Sequence, residues 1–340
     1  MGDSFPLDSV TATDGIAAVG ALADASIHLI LSDIPYGIGA DDWDVLHNNT
    51  NSAFLGTSPA QQRAGNVFRR RGKPLNGWSE ADRRIPLEYQ RWCESFAGEW
   101  YRVLKPGASA LVFAGRRLAH RCVVALEDAG FTLKDILAWH REAAPHRAQR
   151  LSVVFQRRAD ADSAARWEGW RVGNLRPTFE PVLWFVKPYP IGTTIADNVL
   201  THGVGAYNEA AFVSYEYRPD NVLRSGFGAQ EGGQHIAQKP VRLLKALIEL
   251  TTSGGHVVLD PFCGSGSTMV AAKATGRHFI GFDLDARCVK VARQRLAPDM
   301  FDSALAGAGS GQLVVAERNT QPRTSRRTRR GRRAEGRAAS

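Results

Sequence analysis

A strand, a glycine-rich loop, a helix and a second strand follow one another late in the chain, and this unit constrains the fold more than any other segment. Residues 255–260 are predicted as an apolar strand, and the next loop contains Gly264 and Gly266. A predicted helix over residues 268–275 leads to a second apolar strand over residues 278–283. Strands joined in this way are parallel, with a right-handed connection. We therefore predict an α/β fold, Rossmann-like, with a mostly parallel central sheet flanked by helices and carrying loop insertions.

Similar patterns predict further elements along the chain. Short apolar runs predict strands over residues 26–33, 108–114, 133–140 and 179–186. Alanine-rich or amphipathic segments predict helices over residues 16–25, 87–104, 118–129, 239–251 and 286–296. The basic segment 141–170 and the segment 189–233 show no sustained period, so we predict loops there.

One large domain over residues 1–300 accommodates these elements, with residues 37–84 as a polar insertion and residues 301–340 as a disordered basic tail. The net charge of the 340-residue chain is +9. Its last 24 residues hold nine arginines and two glutamates, a net charge of +7, so the rest of the chain carries only +2. The tail is therefore either a solvated end or an arginine-rich arm that binds a polyanion.

Composition excludes several classes of protein. No apolar run approaches the ~18–20 residues that a membrane-spanning helix needs, and the N-terminus lacks the basic and apolar regions of a secretory signal. The four cysteines form no CxxC pair, which argues against a disulfide scaffold and a structural zinc. We predict a cytoplasmic protein that has no bound metal and no membrane partner.

Two carboxylates flank the glycine-rich loop. Asp260 ends the first strand of the unit, where it can face a cationic amino-acid group. Asp283 ends the second strand, where it can accept hydrogen bonds from ribose hydroxyls. Met269 stands where a nicotinamide-binding loop would carry a third glycine or an alanine. This pattern favours S-adenosylmethionine over a dinucleotide as the cofactor.

The tetrapeptide Asp33-Ile34-Pro35-Tyr36 follows a predicted strand, at the end where ligands bind in open parallel sheets. An exocyclic amine of adenine or cytosine is a poor nucleophile because its lone pair is delocalised into the ring. The Asp33 carboxylate and the Ile34 carbonyl can each accept one N–H and so direct the lone pair toward a methyl donor. Pro35 favours an extended Ile34, and Tyr36 offers a flat face on which an extruded base can stack.

Together these motifs resemble the amino-group DNA methyltransferases, which modify adenine N6 or cytosine N4. The tetrapeptide resembles the catalytic motif of this family, and its position before the cofactor motif resembles the β class. By this resemblance the catalytic residues are Asp33, Ile34, Pro35 and Tyr36. The cofactor-binding residues are Asp260, Pro261, Phe262, Gly264, Gly266, Thr268 and Asp283, together with His235 and Lys239 in the segment 233–240.

The resemblance implies site-specific methyl transfer from S-adenosylmethionine to adenine N6 in duplex DNA, with the target base flipped out of the helix. Asp33 at the head of the motif favours adenine. Ile34 replaces the first proline of the family motif, so its φ angle is not locked by a ring. Cytosine N4, methylation of RNA or of a protein amide, and a cofactor- and DNA-binding protein with little transfer activity are the alternatives.

Duplex DNA is the expected partner, and basic segments are candidates to hold its phosphates. They cover residues 69–73, 116–121 and 147–158. By analogy with the β class, residues 189–233 are the expected target-recognition region, ahead of the insertion 37–84. A restriction–modification role is compatible with these motifs, with a homodimer and a cognate restriction endonuclease as further partners.

Overall fold

The computed structural model describes residues 5–37, 80–141, 148–224 and 239–298. Most of the predicted insertion 37–84 and the whole predicted tail lie outside these ranges. Eight strands form one sheet: β1 Ser9–Ala12, β2 Ile27–Asp33, β3 Leu104–Phe113, β4 Thr132–His140, β7 Phe179–Val186, β8 Val222–Arg224, β9 Val257–Asp260 and β10 His278–Asp283. Their order across the sheet is β1-β10-β9-β2-β3-β7-β4-β8. Two further strands, β5 Gln149–Arg150 and β6 Arg171–Val172, pair with each other.

The central sheet is mostly parallel, as predicted. β7 alone among these eight strands runs antiparallel to its two neighbours, β3 and β4. The carboxyl ends of β2, β4, β9 and β10 therefore lie at the same edge of the sheet as the amino end of β7. We call this the carboxyl edge.

Helices cover both faces of the sheet. Their bounds are α1 Gly15–Val19, α2 Glu80–Val103, α3 Ala119–Asp128, α4 Leu151–Gln156, α5 Ala161–Arg166, α6 Ile195–His202, α7 Glu209–Ser214, α8 Val241–Thr251, α9 Ser267–Ala274 and α10 Ala286–Leu296. Successive residues of β2 point to opposite faces, because side chains alternate along a strand. Ile30 packs in the core with α2 and α3, whereas Leu29 and Leu31 pack in the core with α8, α9 and α10.

Four predicted strands, the predicted long helices and the late βαβ unit are present, most with small shifts of their ends. The helix predicted over residues 87–104 begins seven residues earlier, at Glu80, so the end of the predicted insertion 37–84 is helical. The helix predicted over residues 16–25 is much shorter, since α1 ends at Val19. The short edge strand β1 was not predicted. The loop prediction for residues 141–170 is wrong for the part that the structure describes, because this part contains α4 and α5. Residues 189–233 likewise contain α6, α7 and β8.

Among the described residues, no helix is long and apolar enough to span a membrane. The same ranges contain no group of three or more histidine, cysteine, aspartate or glutamate side chains arranged to hold a metal ion.

Candidate active site

Strand order brings the two predicted motifs together. β2 and β9 are neighbours in the sheet, and each ends in a carboxylate at the carboxyl edge, Asp33 and Asp260. The Ser32 hydroxyl donates a 2.6 Å hydrogen bond to Asp260 Oδ1 inside the protein. Ser32 immediately precedes Asp33, so this bond joins the tetrapeptide to a loop that lies 228 positions away in the sequence.

The backbone of the tetrapeptide is held by packing on α2 and α3. The Ile34 side chain is 1% exposed and lies in the core on that face of the sheet. The Tyr89 hydroxyl donates a 2.8 Å hydrogen bond to the Pro35 carbonyl. Gly37 follows with φ +65°, and a Cβ there would lie 2.4 Å from the Tyr89 ring. The buried isoleucine side chain therefore restrains this segment where the family motif has a proline ring.

Charged side chains surround the end of the tetrapeptide. The Lys239 ammonium forms an ion pair with Asp33 Oδ2. The Tyr36 hydroxyl lies 3.1 Å from Asp33 Oδ1 and 2.9 Å from Glu180 Oε2. Glu180 also pairs with the Arg141 guanidinium and lies 3.8 Å from the Lys239 ammonium. Two carboxylates thus share two cations and one phenol.

The electrostatics of this cluster depend on burial. Burial raises the pKa of Asp33, and the charge of Lys239 opposes that rise. Burial, followed by the charges of Asp33 and Glu180, raises the pKa of Tyr36 well above its ordinary value. Tyr36 is therefore a neutral hydroxyl that donates hydrogen bonds rather than a phenolate.

The glycine-rich loop adopts a conformation that its glycines require. Gly264 and Gly266 have φ angles of +50° and +81°, in the left-handed region that side chains disfavour. The Gly264 N–H donates to Asp283 Oδ2 at 2.8 Å, and the Asp285 N–H donates to Asp283 Oδ1 at 2.9 Å. Asp283 therefore fixes the loop to the end of β10, and α9 begins directly after Gly266.

Asp260 is enclosed by hydrogen-bond donors. Its side chain accepts from Ser32 and, at 3.1 Å, from the Phe262 N–H. The residue is 2% exposed, and burial raises the pKa of its carboxyl to about 7, against the effect of hydrogen bonds from Ser32 and Thr268. A cationic group placed beside such a buried carboxylate strongly favours its ionised form.

Phe262 and Pro261 are held against the helices that cover the sheet. The Phe262 ring contacts Trp92, Phe96 and Trp100, with centroid distances of 5.6, 5.9 and 6.4 Å. The Pro261 carbonyl approaches Gly15 so closely that a Cβ on Gly15 would lie 2.0 Å from its oxygen. These contacts fix the direction in which the chain leaves β9.

The structure brings together most of the predicted residues, although Lys239 lies on Asp33 rather than at the glycine-rich loop. His235 lies outside the described residues. Sequence reasoning missed the roles of Glu180, Arg141 and Tyr89. The signal for Glu180 was a lone acid near the start of an otherwise apolar strand. Arg141 and Tyr89 carry no comparable signal.

Comparisons with known proteins agree with this geometry. The family model for DNA methylases of the N6 and N4 type matches residues 27–294. The Type II methyltransferase M.HindIII of Haemophilus influenzae is 52% identical over 295 residues, which cover 85% of this chain and 95% of the relative.

Two solved structures share the fold. The cytosine-N4-specific PvuII DNA methyltransferase superposes with a TM-score of 0.57 at 17% identity, covering 89% of this chain and 94% of that one. The second structure is described as a DNA modification methylase from Thermus thermophilus, complexed with S-adenosyl-L-methionine. It superposes with a TM-score of 0.52 at 17% identity, covering 86% of this chain and 93% of that one. The predicted methyltransferase fold is confirmed. The family match over most of the chain, with the M.HindIII identity, shows that this protein belongs to the amino-group (N6/N4) DNA methyltransferases.

Proposed function

We propose that this enzyme transfers a methyl group from S-adenosylmethionine to adenine N6 in duplex DNA, acting on a base flipped out of the helix. The observation that carries the proposal is the Ser32–Asp260 hydrogen bond, because it sets an acceptor for an amine next to an acceptor for a cationic cofactor. The donor supplies an electrophilic methyl group, and the protein has to position the amine in line with it. The Type II assignment of M.HindIII supports a cognate restriction endonuclease as a partner in the cell.

The described residues fit this cofactor. Asp260 is a buried carboxylate whose hydrogen bonds come from the neutral donors Ser32 and Phe262, so an ammonium suits it. Asp283 accepts the Gly264 N–H on one carboxylate oxygen and the Asp285 N–H on the other. A carboxylate has about four lone-pair sites, so Asp283 can also accept hydrogen bonds from ribose hydroxyls. Gly264 has open space where a Cβ would lie, which lets a ligand approach the backbone.

Asp33 accepts one N–H of the target amine in this proposal, and the Ile34 carbonyl accepts the other. The amine has to share or take the position that the Lys239 ammonium holds on Asp33. Glu180 lies 3.8 Å from the same ammonium and offers it a second carboxylate. We therefore assign Lys239 to positioning and charge balance at Asp33, in place of the cofactor contact that the sequence motif implied.

Product analysis tests this function. The full-length protein is incubated with methyl-labelled S-adenosylmethionine and mixed-sequence duplex DNA, and the digested nucleosides are identified by mass spectrometry. Labelled 6-methyladenine is the expected product, and labelled 4-methylcytosine would replace the adenine assignment with the cytosine one.

The Asp33→Ala variant is the matched control. It is expected to abolish transfer and to keep cofactor binding, because Asp33 lies on the amine side of the Ser32–Asp260 bond. No labelled nucleoside from the wild-type protein, with cofactor binding demonstrated, would overturn the proposed function.

A further inference from the structure

Residues 148–176 form a small unit that projects from the carboxyl edge, and we call it the basic arm. The chain leaves the sheet at the end of β4 and returns at the start of β7, where His140 is paired with Phe179. The Arg141 N–H donates to the Thr178 carbonyl at 2.6 Å, which closes the base of the excursion. Arg141 also pairs with Glu180 in the candidate active site. The arm is therefore attached directly beside Asp33 and Tyr36.

Short elements give the arm its own internal structure. β5 pairs with β6 in an antiparallel manner, and the Leu151 N–H donates to the Trp170 carbonyl at 2.9 Å. Asp160 caps α5 by accepting from the Ser163 N–H at 2.9 Å. These bonds tie both ends of the arm together, so it presents its side chains from a defined backbone.

The surface of the arm is strongly basic. Six arginines and three acids lie between residues 148 and 176, a net charge of +3. All six arginines are exposed: Arg150, Arg157, Arg158, Arg166, Arg171 and Arg176. Three large apolar side chains are exposed among them, Trp170 (61%), Val172 (55%) and Leu175 (88%). Arginines interleaved with an exposed indole suit a nucleic acid, because arginine pairs with phosphate and the indole packs on sugars and bases.

The described part of the predicted target-recognition region is acidic rather than basic. Residues 189–224 contain two arginines and four acids, a net charge of −2. α6 lies at the other edge of the sheet, because the Asn198 amide donates to the Pro106 carbonyl near the start of β3. Gly203, which ends α6, lies against His256 just before β9 begins. Within this described part, β8 reaches the carboxyl edge, where it pairs with the end of β4. Tyr215 and Glu216 contact Arg242 near the start of α8.

We propose that the basic arm is a DNA-binding surface that holds the phosphate backbone of the duplex beside the flipped base. The proposal rests on the proposed function for the identity of the polyanion. It assigns phosphate contacts to the arm rather than to residues 189–224. The partner is duplex DNA, on the grounds of charge complementarity and of the attachment of the arm at the active-site edge.

The salt dependence of DNA binding tests the proposal. We expect Arg157→Ala/Arg158→Ala in the full-length protein to bind a mixed-sequence duplex of about three helical turns several-fold more weakly. The slope of log K against log salt should fall by about 1.8 if two phosphate contacts are lost. Arg218→Ala is the matched control, since Arg218 is also exposed but lies in residues 189–224. Its slope should equal that of the wild type.

Further readouts distinguish DNA binding from self-association and from damage to the active site. Trp170→Ala should weaken DNA binding without a change in the salt slope, because the indole neutralises no phosphate. Both arm variants should keep the wild-type cofactor affinity and the wild-type methylation rate at saturating DNA, with a raised KM for DNA.

Two results would overturn the proposal. One is an Arg157→Ala/Arg158→Ala salt slope equal to that of Arg218→Ala. The other is a Trp170→Ala variant that alters the oligomeric state with unchanged DNA affinity, since the arm would then be an interface between copies of this chain. DNA binding is measured without the methyl donor, so failure of the proposed function, seen as unlabelled DNA, is a separate result.

Discussion

At the residue scale, the candidate site is organised by the sharing of one ammonium between carboxylates. Lys239 touches Asp33 and lies 3.8 Å from Glu180, and its ammonium lies 5.6, 5.2 and 5.9 Å from the ring centres of Tyr36, Phe113 and Trp139. Aromatic faces stabilise a cation that has lost part of its hydration shell. These rings therefore stabilise the ammonium of Lys239 beside either carboxylate.

Lys239→Gln should change how the transfer rate depends on pH. Burial raises the pKa of Asp33 and Lys239 opposes that rise, so removal of the cation raises the pKa further. Asp33 accepts an N–H only when ionised, so the rate falls as the pH falls through the pKa of Asp33. The fall should therefore begin at a higher pH in the variant than in the wild type. Transfer rates measured from mildly acidic to mildly alkaline pH check this.

Lys245→Gln is the control for that experiment, since it makes the same change on α8 at a lysine that lies near Tyr215 instead. Lys239→Arg should recover part of the wild-type profile. If the transfer rate falls over the same acidic pH range in Lys239→Gln and in the wild type, Lys239 is only a structural residue.

Asp260 should make cofactor binding depend on pH. With its pKa raised to about 7, its carboxyl is ionised above pH 7 and neutral below. A cationic group binds the ionised form, so affinity should fall by up to about tenfold per pH unit below 7. Calorimetric titration one pH unit below, at and one unit above this pKa measures the effect.

The Asp260→Asn variant should bind the cofactor more weakly than the wild type above pH 7. Its affinity should no longer depend on pH in this range. Asp285→Asn is the control, because hydrogen bonds from Arg287 lower the pKa of Asp285 and keep it ionised throughout. A pH-independent wild-type affinity would refute a direct contact between Asp260 and a cationic group.

The sequence predicted one half of this site better than the other, and the reason is geometric. Asp33, Asp260 and Asp283 each end a parallel strand, and parallel strands end at one edge. Glu180 begins a strand, so it reaches that edge only because β7 runs antiparallel. Strand direction is a tertiary property of the sheet, and no local pattern around residues 179–186 specifies it.

At the element scale, length decides which helices the sequence reveals. α2, α8 and α10 have 24, 11 and 11 residues and show an apolar stripe, whereas α4, α5 and α7 have six each. Fewer than two turns cannot display the 3.6-residue period. The usable signal for α5 and α7 is the N-cap, since Asp160 and Asn208 each accept from the N–H three residues later. α4 has no side-chain cap.

Two glycines of the cofactor loop provide a matched test of the βαβ unit. A Cβ on Gly264 meets open space, so Gly264→Ala should cost only the left-handed backbone penalty of about 1–2 kcal/mol. A Cβ on Gly266 would lie 2.6 Å from the Ala292 side chain on α10, which adds roughly 1–3 kcal/mol of overpacking. Denaturant unfolding without cofactor should rank Gly266→Ala as the less stable variant. Equal stabilities would contradict the packing of α10 on this loop.

At the scale of the whole molecule, the sequence specifies the fold class more clearly than it specifies the paths of the long polar segments. The fold class follows from the βαβ unit and the apolar runs, because buried parallel strands and their covering helices leave strong local signals. The paths of residues 148–178 and 189–224 do not follow from the sequence in this way. They are fixed by tertiary hydrogen bonds between residues far apart in the chain, such as that from Asn198 to the Pro106 carbonyl. The surface that meets DNA in our proposal is therefore the part that the sequence specifies least.

Charge is distributed unevenly over the chain and is concentrated in its C-terminal segment. Residues 317–340 carry +7 of the net +9. Replacing them with an uncharged Gly/Ser segment of equal length should lower affinity for specific and mixed-sequence duplexes alike and flatten the salt slope. The rate at saturating DNA should stay unchanged, since the catalytic and cofactor motifs lie before residue 300. Combining the replacement with Arg157→Ala/Arg158→Ala should add the two slope changes if arm and tail contact separate phosphates. An unchanged salt slope in the replacement would identify the tail as a solvated end and leave DNA holding to the folded domain.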